Sequence, residues 1–349
     1  MNTSPIKTAL LSYGMSGRLF HTPFLRAHKG FTLHGCWERK PGLFSKEVTD
    51  ARSYHSLDEV LDDPETELVV INTPNATHFD YAAKALSAGK HVLVEKPIAL
   101  NADEAIALWE LAKRNNKLLS VYHNRRWDGD FITVKKILEG GSIGKIVSAE
   151  LHADRYRPAL STKTHKETAE PGSGLLLDWG PHLADQAMQL FGMPQRVFCH
   201  TAITRPKSQV DDFFELILFY PEHTVRLKSG FFVMHSPASY LLHGTQGSYI
   251  QERSNVQEIQ LNAGKSPMDE DFGLEQIRGL LHRQDDSGNI ISKQIPLSRG
   301  NYLECYNQLF RAIRFGEPPP VRADEAIGVM KILDAAAESS RTGSIVSIP

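Results

Sequence analysis

What this 349-residue sequence has little of narrows its class first. It holds three cysteines, Cys36, Cys199 and Cys305, odd in number, far apart and without CxxC or finger spacing. That excludes a disulfide scaffold and a structural zinc finger, and fits a reducing compartment. No stretch reaches the roughly 18 consecutive apolar residues of a membrane span, and the apolar run after Ile6 is too short for a signal peptide. A cytoplasmic protein with no membrane partner is expected. Excess charge is missing as well: 39 basic against 41 acidic residues give a net charge of -2, with no block of one sign. Nothing attracts nucleic acid or a lipid surface. What remains is a globular chain, long enough for about two domains.

What is present centres on His91-Val92-Leu93-Val94-Glu95-Lys96-Pro97. The apolar run reads as a buried parallel strand, and Pro97 cannot continue the ladder, so Lys96 falls at the strand's carboxyl end. In open α/β sheets ligands bind at that edge. Upstream, Ile6 to Ser12 predicts a strand, Tyr13-Gly14-Met15-Ser16-Gly17 a glycine turn, and the residues to about Ala27 a helix. Phe31 to Trp37 predicts the next strand, with Glu38 at its end. The distance from Gly17 to Glu38 is that of a dinucleotide-binding βαβ unit. Gly14 would let backbone approach a pyrophosphate, Gly17 would let helix pack on strand, and the helix N-terminus would offer free N–H groups. Ser12 stands where the motif's first glycine belongs. Leu68 to Asn72, a helix from about Ala76 to Ala88, the central strand, a helix from about Ala102 to Asn115 and a strand over Leu118 to Tyr122 continue the alternation. The reading is an α/β doubly wound Rossmann sheet over residues 1–122. Glu38 would accept hydrogen bonds from a ribose and repel a 2′-phosphate, while Arg39 and Lys40 offset part of that repulsion. NAD is therefore favoured, with NADP possible.

From His123-Asn124-Arg125-Arg126-Trp127-Asp128 onward the texture changes, and residues 123–349 read as a second, α+β domain. Strand patterns over Ile146 to Arg155, Arg196 to Thr204, Phe213 to Tyr220, Val225 to Val233 and Tyr240 to Ile250 predict a large, mainly antiparallel open sheet. With few helices to cover it, one face calls for a second copy of the chain, so a homodimer or higher homo-oligomer is expected. Ser254 to Gly288 reads as polar and irregular. Asn301 to Phe315 and Asp324 to Ser339 read as amphipathic helices around Pro318-Pro319-Pro320. Between them and the domain start lies Gly172-Ser173-Gly174-Leu175-Leu176-Leu177-Asp178-Trp179-Gly180-Pro181-His182-Leu183-Ala184-Asp185. If helical from Leu175, this stretch puts Asp178, His182 and Asp185 on one face. A histidine beside carboxylates suits general acid/base work near neutral pH. A buried histidine satisfied by Asp185, and a metal pair of Asp178 and His182, are the competing readings.

The glycine turn, Glu95-Lys96-Pro97, the Gly-rich lead into Asp178-Trp179-Gly180-Pro181-His182, and Leu242-His243-Gly244-Thr245-Gln246-Gly247-Ser248 together resemble the Gfo/Idh/MocA family of NAD(P)-dependent oxidoreductases over nearly the whole chain. Ser120 to Asp128 with Arg155-Tyr156-Arg157-Pro158 is similar to its scyllo-inositol dehydrogenase branch. The resemblance implies hydride transfer between nicotinamide and a secondary alcohol of a sugar or cyclitol, with catalytic Lys96, Asp178 and His182 and no metal. It implies a cofactor site of Ser12, Gly14, Met15, Gly17, Glu38, Arg39, Thr73, Pro74, Asn75, His78, Glu95 and Lys96. Asn124, Arg126 and Tyr156 would join Lys96, Asp178 and His182 in binding substrate. A metal-dependent sugar hydrolase or isomerase and a non-catalytic dinucleotide sensor stay open as alternatives.

Overall fold

A computed structural model describes residues 4–39, 42–161, 167–235 and 238–349. Lys40, counted with Arg39 at the end of the second strand, lies outside the described residues. The chain divides into two compact units. The first takes Met1–Asn124, Gln257–Phe272 and Asn301–Ile327, and the second Arg125–Val256, Gly273–Gly300 and Gly328–Pro349. The single boundary expected after residue 122 lies close to the first crossing, but the two later returns were not anticipated.

The first unit is built on β1 (Ile6–Leu10), α1 (Thr22–Ala27), β2 (Phe31–Trp37), α2 (Phe44–Glu47), β3 (Arg52–Tyr54), α3 (Leu57–Asp62), β4 (Leu68–Ile71), α4 (His78–Ser87), β5 (His91–Val94), α5 (Ala102–Arg114) and β6 (Leu119–Val121). The six strands form one sheet in the order β3-β2-β1-β4-β5-β6, every neighbour parallel. All residues of β4 and all but the first of β5 are buried, which is why these strands read as unbroken apolar runs. The order reverses direction between β1 and β4, so the crevice at their carboxyl ends is the expected ligand edge. The helix after the glycine turn opens as a widened π-type turn over Gly17–His21 before α1. Asn101 caps α5, its side chain accepting from Glu104 N at 2.9 Å, and Asp103 and Glu104 favour the same end of the helix dipole.

The second unit contains α6 (Gly129–Glu139), β7 (Ile146–His152), α7 (Leu175–Phe191), β8 (Arg196–Ala202), β9 (Phe213–Phe219), β10 (Thr224–Gly230), β11 (Tyr240–Gly244) and β12 (Gly247–Gln251). The chain then gives α8 (Val256–Asn262) almost wholly to the first unit, β13 (Arg278–Gln284) and β14 (Ile290–Pro296) to the second, α9 (Leu303–Phe315) and the start of α10 (Ala323–Thr342) to the first, and the rest of α10 with β15 (Val346–Ser347) to the second. Nine strands make one sheet, β14-β13-β12-β11-β7-β10-β9-β8-β15. It is mainly antiparallel, with one exception that the sequence did not reveal: β10 runs parallel to β7. The run from Tyr240 to Ile250 is a hairpin rather than one strand, closing at Gly244 opposite Gly247. Ser254 to Gly288 is not irregular throughout. It holds α8 and the whole of β13, whose alternation is hidden because the buried Gly279 has no side chain and the apolar Leu280 between Gly279 and Leu281 is exposed.

Candidate active site

The glycine turn is held by a residue the motif does not contain. Leu11 N donates to Asn72 Oδ1 at 3.2 Å, and Asn72 Nδ2 donates to Ser12 O at 2.8 Å. Asn72 thus joins the carboxyl ends of β1 and β4 across the point where strand order reverses. A Cβ on Gly17 would lie 2.4 Å from Ser12 O and 3.0 Å from Asn72 Nδ2, so only glycine lets the helix approach this closely. A Cβ on Gly14 would meet nothing nearer than Ser12 Oγ at 3.5 Å. That side of the turn is an open cradle of the kind a pyrophosphate fills. Ser12 Oγ also accepts from Gly14 N at 3.3 Å, tightening the turn in place of the missing glycine. Met15 is half exposed beside it. These observations fit a dinucleotide.

Two of the expected cofactor residues do other work. His78 is wholly buried, with Nδ1 2.7 Å from Pro97 O and Nε2 2.9 Å from Thr73 O. Burial lowers its pKa, so the neutral ring donates to one carbonyl, and the shorter contact is Pro97. His78 braces the end of β5 against the turn after β4 and has no surface left for a ligand. Glu95 likewise turns inward. Its Oε1 accepts from Ser16 Oγ and, at 3.0 Å, from His21 Nε2, while Tyr306 OH lies within hydrogen-bond distance of His21 Nδ1 at 2.7 Å. Burial by itself would raise the Glu95 pKa, but the His21 and Ser16 hydrogen bonds and the Lys96 charge outweigh it and hold the carboxyl low. An ionised Glu95 therefore pins the Ser16–His21 turn and leaves half-buried Lys96, the next residue, at the ligand edge.

The remaining positions lie where a cofactor can reach them. Thr73 Oγ1 donates to Thr77 Oγ1 at 2.7 Å, and Pro74 and Asn75 follow at the carboxyl end of β4, exposed and half-buried. Glu38 Oε2 accepts from Gly42 N at 3.2 Å and Phe44 N at 2.9 Å, so part of its charge closes its own loop. Arg39 beside it is exposed.

In the second unit α7 runs unbroken through Pro181, and it carries Asp178 in its first turn and His182 one turn later. Its N-terminus is capped from 35 residues away. Leu175 N donates to Asp211 O at 2.8 Å and Leu176 N to Asp211 Oδ2 at 2.7 Å. Gly174, at φ +97°, would strike Asp211 Oδ1 with any Cβ. His182 is buried against Trp179, with ring centroids 5.5 Å apart. The carboxylate of Asp185 takes a buried, two-pronged pair from Arg126, Nε at 2.9 Å and Nη2 at 2.6 Å. Arg126, expected to bind substrate, is held on α7 by this pair, and Asp178 is the other acid offered by the helix face. Tyr156 is exposed with its ring edge-on to Phe232, and Asn124 is buried. Among the described residues, the group with metal-ligand spacing is His34, Asp63 and Glu65, which includes neither Asp178 nor His182. Asp63 there already accepts from Tyr54 at 2.7 Å and Arg52 at 3.3 Å, and Lys7 pairs with Glu65.

Residues 6–123 match the family model described as "Oxidoreductase family, NAD-binding Rossmann fold", and residues 131–250 match the "GFO/IDH/MocA C-terminal domain". The chain belongs to the Gfo/Idh/MocA oxidoreductase family. It is 35% identical to a Bacillus subtilis scyllo-inositol 2-dehydrogenase (NADP(+)) over 96% of this chain and 94% of the relative. It is 27% identical to a levoglucosan dehydrogenase of Pseudarthrobacter phenanthrenivorans over 88% of this chain and 84% of that one. A solved oxidoreductase from Bacillus cereus, 29% identical, superposes with a TM-score of 0.90 over 98% of this chain and 99% of that structure. No helix among the described residues is long and apolar enough to cross a membrane.

Proposed function

We propose that this Gfo/Idh/MocA oxidoreductase interconverts a secondary alcohol and a ketone on a cyclitol or sugar. The observation that carries the reading is buried His182 on a capped helix in a chain whose other unit has a dinucleotide cradle ending at Lys96. Likeness to inositol and levoglucosan dehydrogenases supports the substrate class. The turn from Ser12 to Gly17 would hold the dinucleotide, whose nicotinamide would supply the acceptor for the carbinol hydride. His182 takes the hydroxyl proton, so the alcohol loses a hydride and a proton and leaves as the ketone. Lys96 offers a fixed ammonium to alkoxide charge. Asp178 orients His182 or holds a neighbouring hydroxyl, and Asn124 and Tyr156 serve further hydroxyls, with Arg126 fixing Asp185 behind them.

NAD and NADP are both admitted. Glu38 gives part of its charge to Gly42 and Phe44, Arg39 is free to meet a phosphate, and the Bacillus relative is named for NADP(+). Titrating both cofactors tests this, and an affinity for one at least about a hundredfold above the other would contradict it. Replacing His182 with Ala should lower turnover by at least about a hundredfold with cofactor affinity unchanged. Undiminished turnover would remove His182 from the reaction.

A further inference from the structure

In the second unit an unusual concentration of positive charge surrounds Trp179. The guanidinium carbons of Arg125, Arg155 and Arg253 stand 4.5, 4.6 and 5.5 Å from the centroid of its indole. Stacking on an indole stabilises a guanidinium but neutralises nothing. Arg125 has a carboxylate, Asp128, at 3.1 Å. Among the described residues Arg253 has none within ion-pair distance. Its Nε donates to the carbonyl of His152 at 3.2 Å, its Nη2 reaches Gln186 Oε1 at 3.5 Å, and its plane lies 5.0 Å from the Tyr240 centroid. Its third nitrogen, Nη1, is buried with no hydrogen-bond partner among the described residues.

The placement of that unmet donor is informative. Trp179, His182 and Gln186 are spaced i, i+3 and i+7 on α7 and share one face. A guanidinium that touches both Trp179 and Gln186 lies along the turn that carries His182. A second unmet donor belongs to the same cluster. Gln251, 1% exposed at the end of β12 and paired with Tyr240, accepts from Tyr249 OH at 2.5 Å while its buried Nε2 has no partner. Tyr240 in turn donates to Gln186 at 3.2 Å. Two buried donors, one of them charged, thus meet one set of neighbours with no acceptor. A buried unmet donor is unfavourable, and one on a cation without a counter-charge is more so. Asp130 feels the Arg253 charge, but burial and the charge of Asp128 push its pKa up to about 7, so it is a weak counter-charge at neutral pH.

We infer that Arg253, with Gln251, is a substrate-recognition site beside His182 for a carboxylate, so that the alcohol oxidised is carried by a polyhydroxy acid such as a uronate or aldonate. The inference rests on the dehydrogenase reading and narrows its substrate. A carboxylate gives Arg253 Nη1 and Gln251 Nε2 the acceptors they lack and gives the Arg253 guanidinium a counter-charge.

The test compares matched neutral and acidic probes, glucose with glucuronate and gluconate, on the full-length protein with nicotinamide cofactor. Wild type should favour the acids in kcat/KM. Arg253→Gln should raise KM for the favoured acid at least about tenfold, the loss of a charge-assisted hydrogen bond, and change values for glucose less than about threefold. Arg253→Lys keeps the charge without the planar fork, should fall between, and serves if Arg253→Gln does not fold. Turnover of neutral sugars with no preference for acids, or an equal loss on both probes in the variants, overturns the inference and leaves the dehydrogenase reading intact. If nothing is oxidised, calorimetric titration separates the two claims. Glucuronate binding that depends on Arg253 keeps the recognition site and removes the polyol oxidation; absence of binding removes the site.

Discussion

Gly17 and Gly14 sit three residues apart in one turn, yet the structure asks different things of them. A methyl on Gly17 runs into the backbone oxygen of Ser12 at 2.4 Å, whereas a methyl on Gly14 has space. Gly17→Ala is therefore expected to lower stability by about 1–3 kcal/mol and weaken cofactor binding with it. Gly14→Ala should leave the melting temperature nearly unchanged while weakening cofactor binding, because its methyl would stand where the pyrophosphate approaches. Thermal melts paired with cofactor titrations check both, and equal melting losses would contradict the assignment. The glycine turn, the strand that ends before Lys96 and the helix that carries His182 were legible in the sequence because each belongs to a short local pattern. Asn72, His21, Tyr306 and Asp211 were not. Each acts on a residue tens or hundreds of positions away, through a hydrogen bond that no spacing encodes. His78, at the start of α4, and Glu95, after β5, were placed in the cofactor site by the family resemblance alone. Only side-chain direction separates a residue at that edge from one that turns inward to brace it.

At the level of elements, the parallel strands were readable because burial on both faces leaves an unbroken apolar run, as in β4 and β5. β13 and β14 were not, since β14 is exposed along nearly its whole length and its apolar and polar residues follow no core. The segment entering α6 carries a different consequence. Ser254 N donates to Asp130 Oδ2 at 2.8 Å and Ser254 Oγ to Glu275 Oε2, joining α6, the end of β12 and the stretch before β13. Burial raises the pKa of both acids to about 7, helped in each case by the charge of Asp128. Between the unfolded value, near 4, and about 7 the native state keeps protons that the unfolded chain has released. Stability from these groups is thus complete at low pH and declines as pH rises through that window. Glu275→Gln retains an acceptor for Ser254 and should flatten the fall in melting temperature between pH 5 and pH 8 relative to wild type. Parallel pH profiles for the two proteins would show that Glu275 does not titrate in this range.

For the molecule as a whole, the nine-stranded sheet bears one face of Phe198, Phe213, Ile217 and Phe219, half-buried and set among Arg226, Glu215 and Glu150. Alternation puts the opposite residues of β9, Phe214, Leu216 and Leu218, in the core. A face this apolar calls for cover, and we propose that a second copy supplies it. Light scattering is expected to give a dimer or larger assembly, and Ile217→Asp to shift it toward monomer; a wild-type monomer at micromolar concentration would refute this. In the proposed reading the Rossmann unit and α7 serve oxidation of a polyol or its acid. Its most direct test is to mix the protein with NAD+ or NADP+, add inositols, aldoses and sugar acids in turn, and follow reduced nicotinamide by absorbance. The account predicts reduction with at least one of these alcohols, abolished by His182→Ala. Cofactor that binds yet stays oxidised across the whole panel would contradict it and point instead to a dinucleotide sensor.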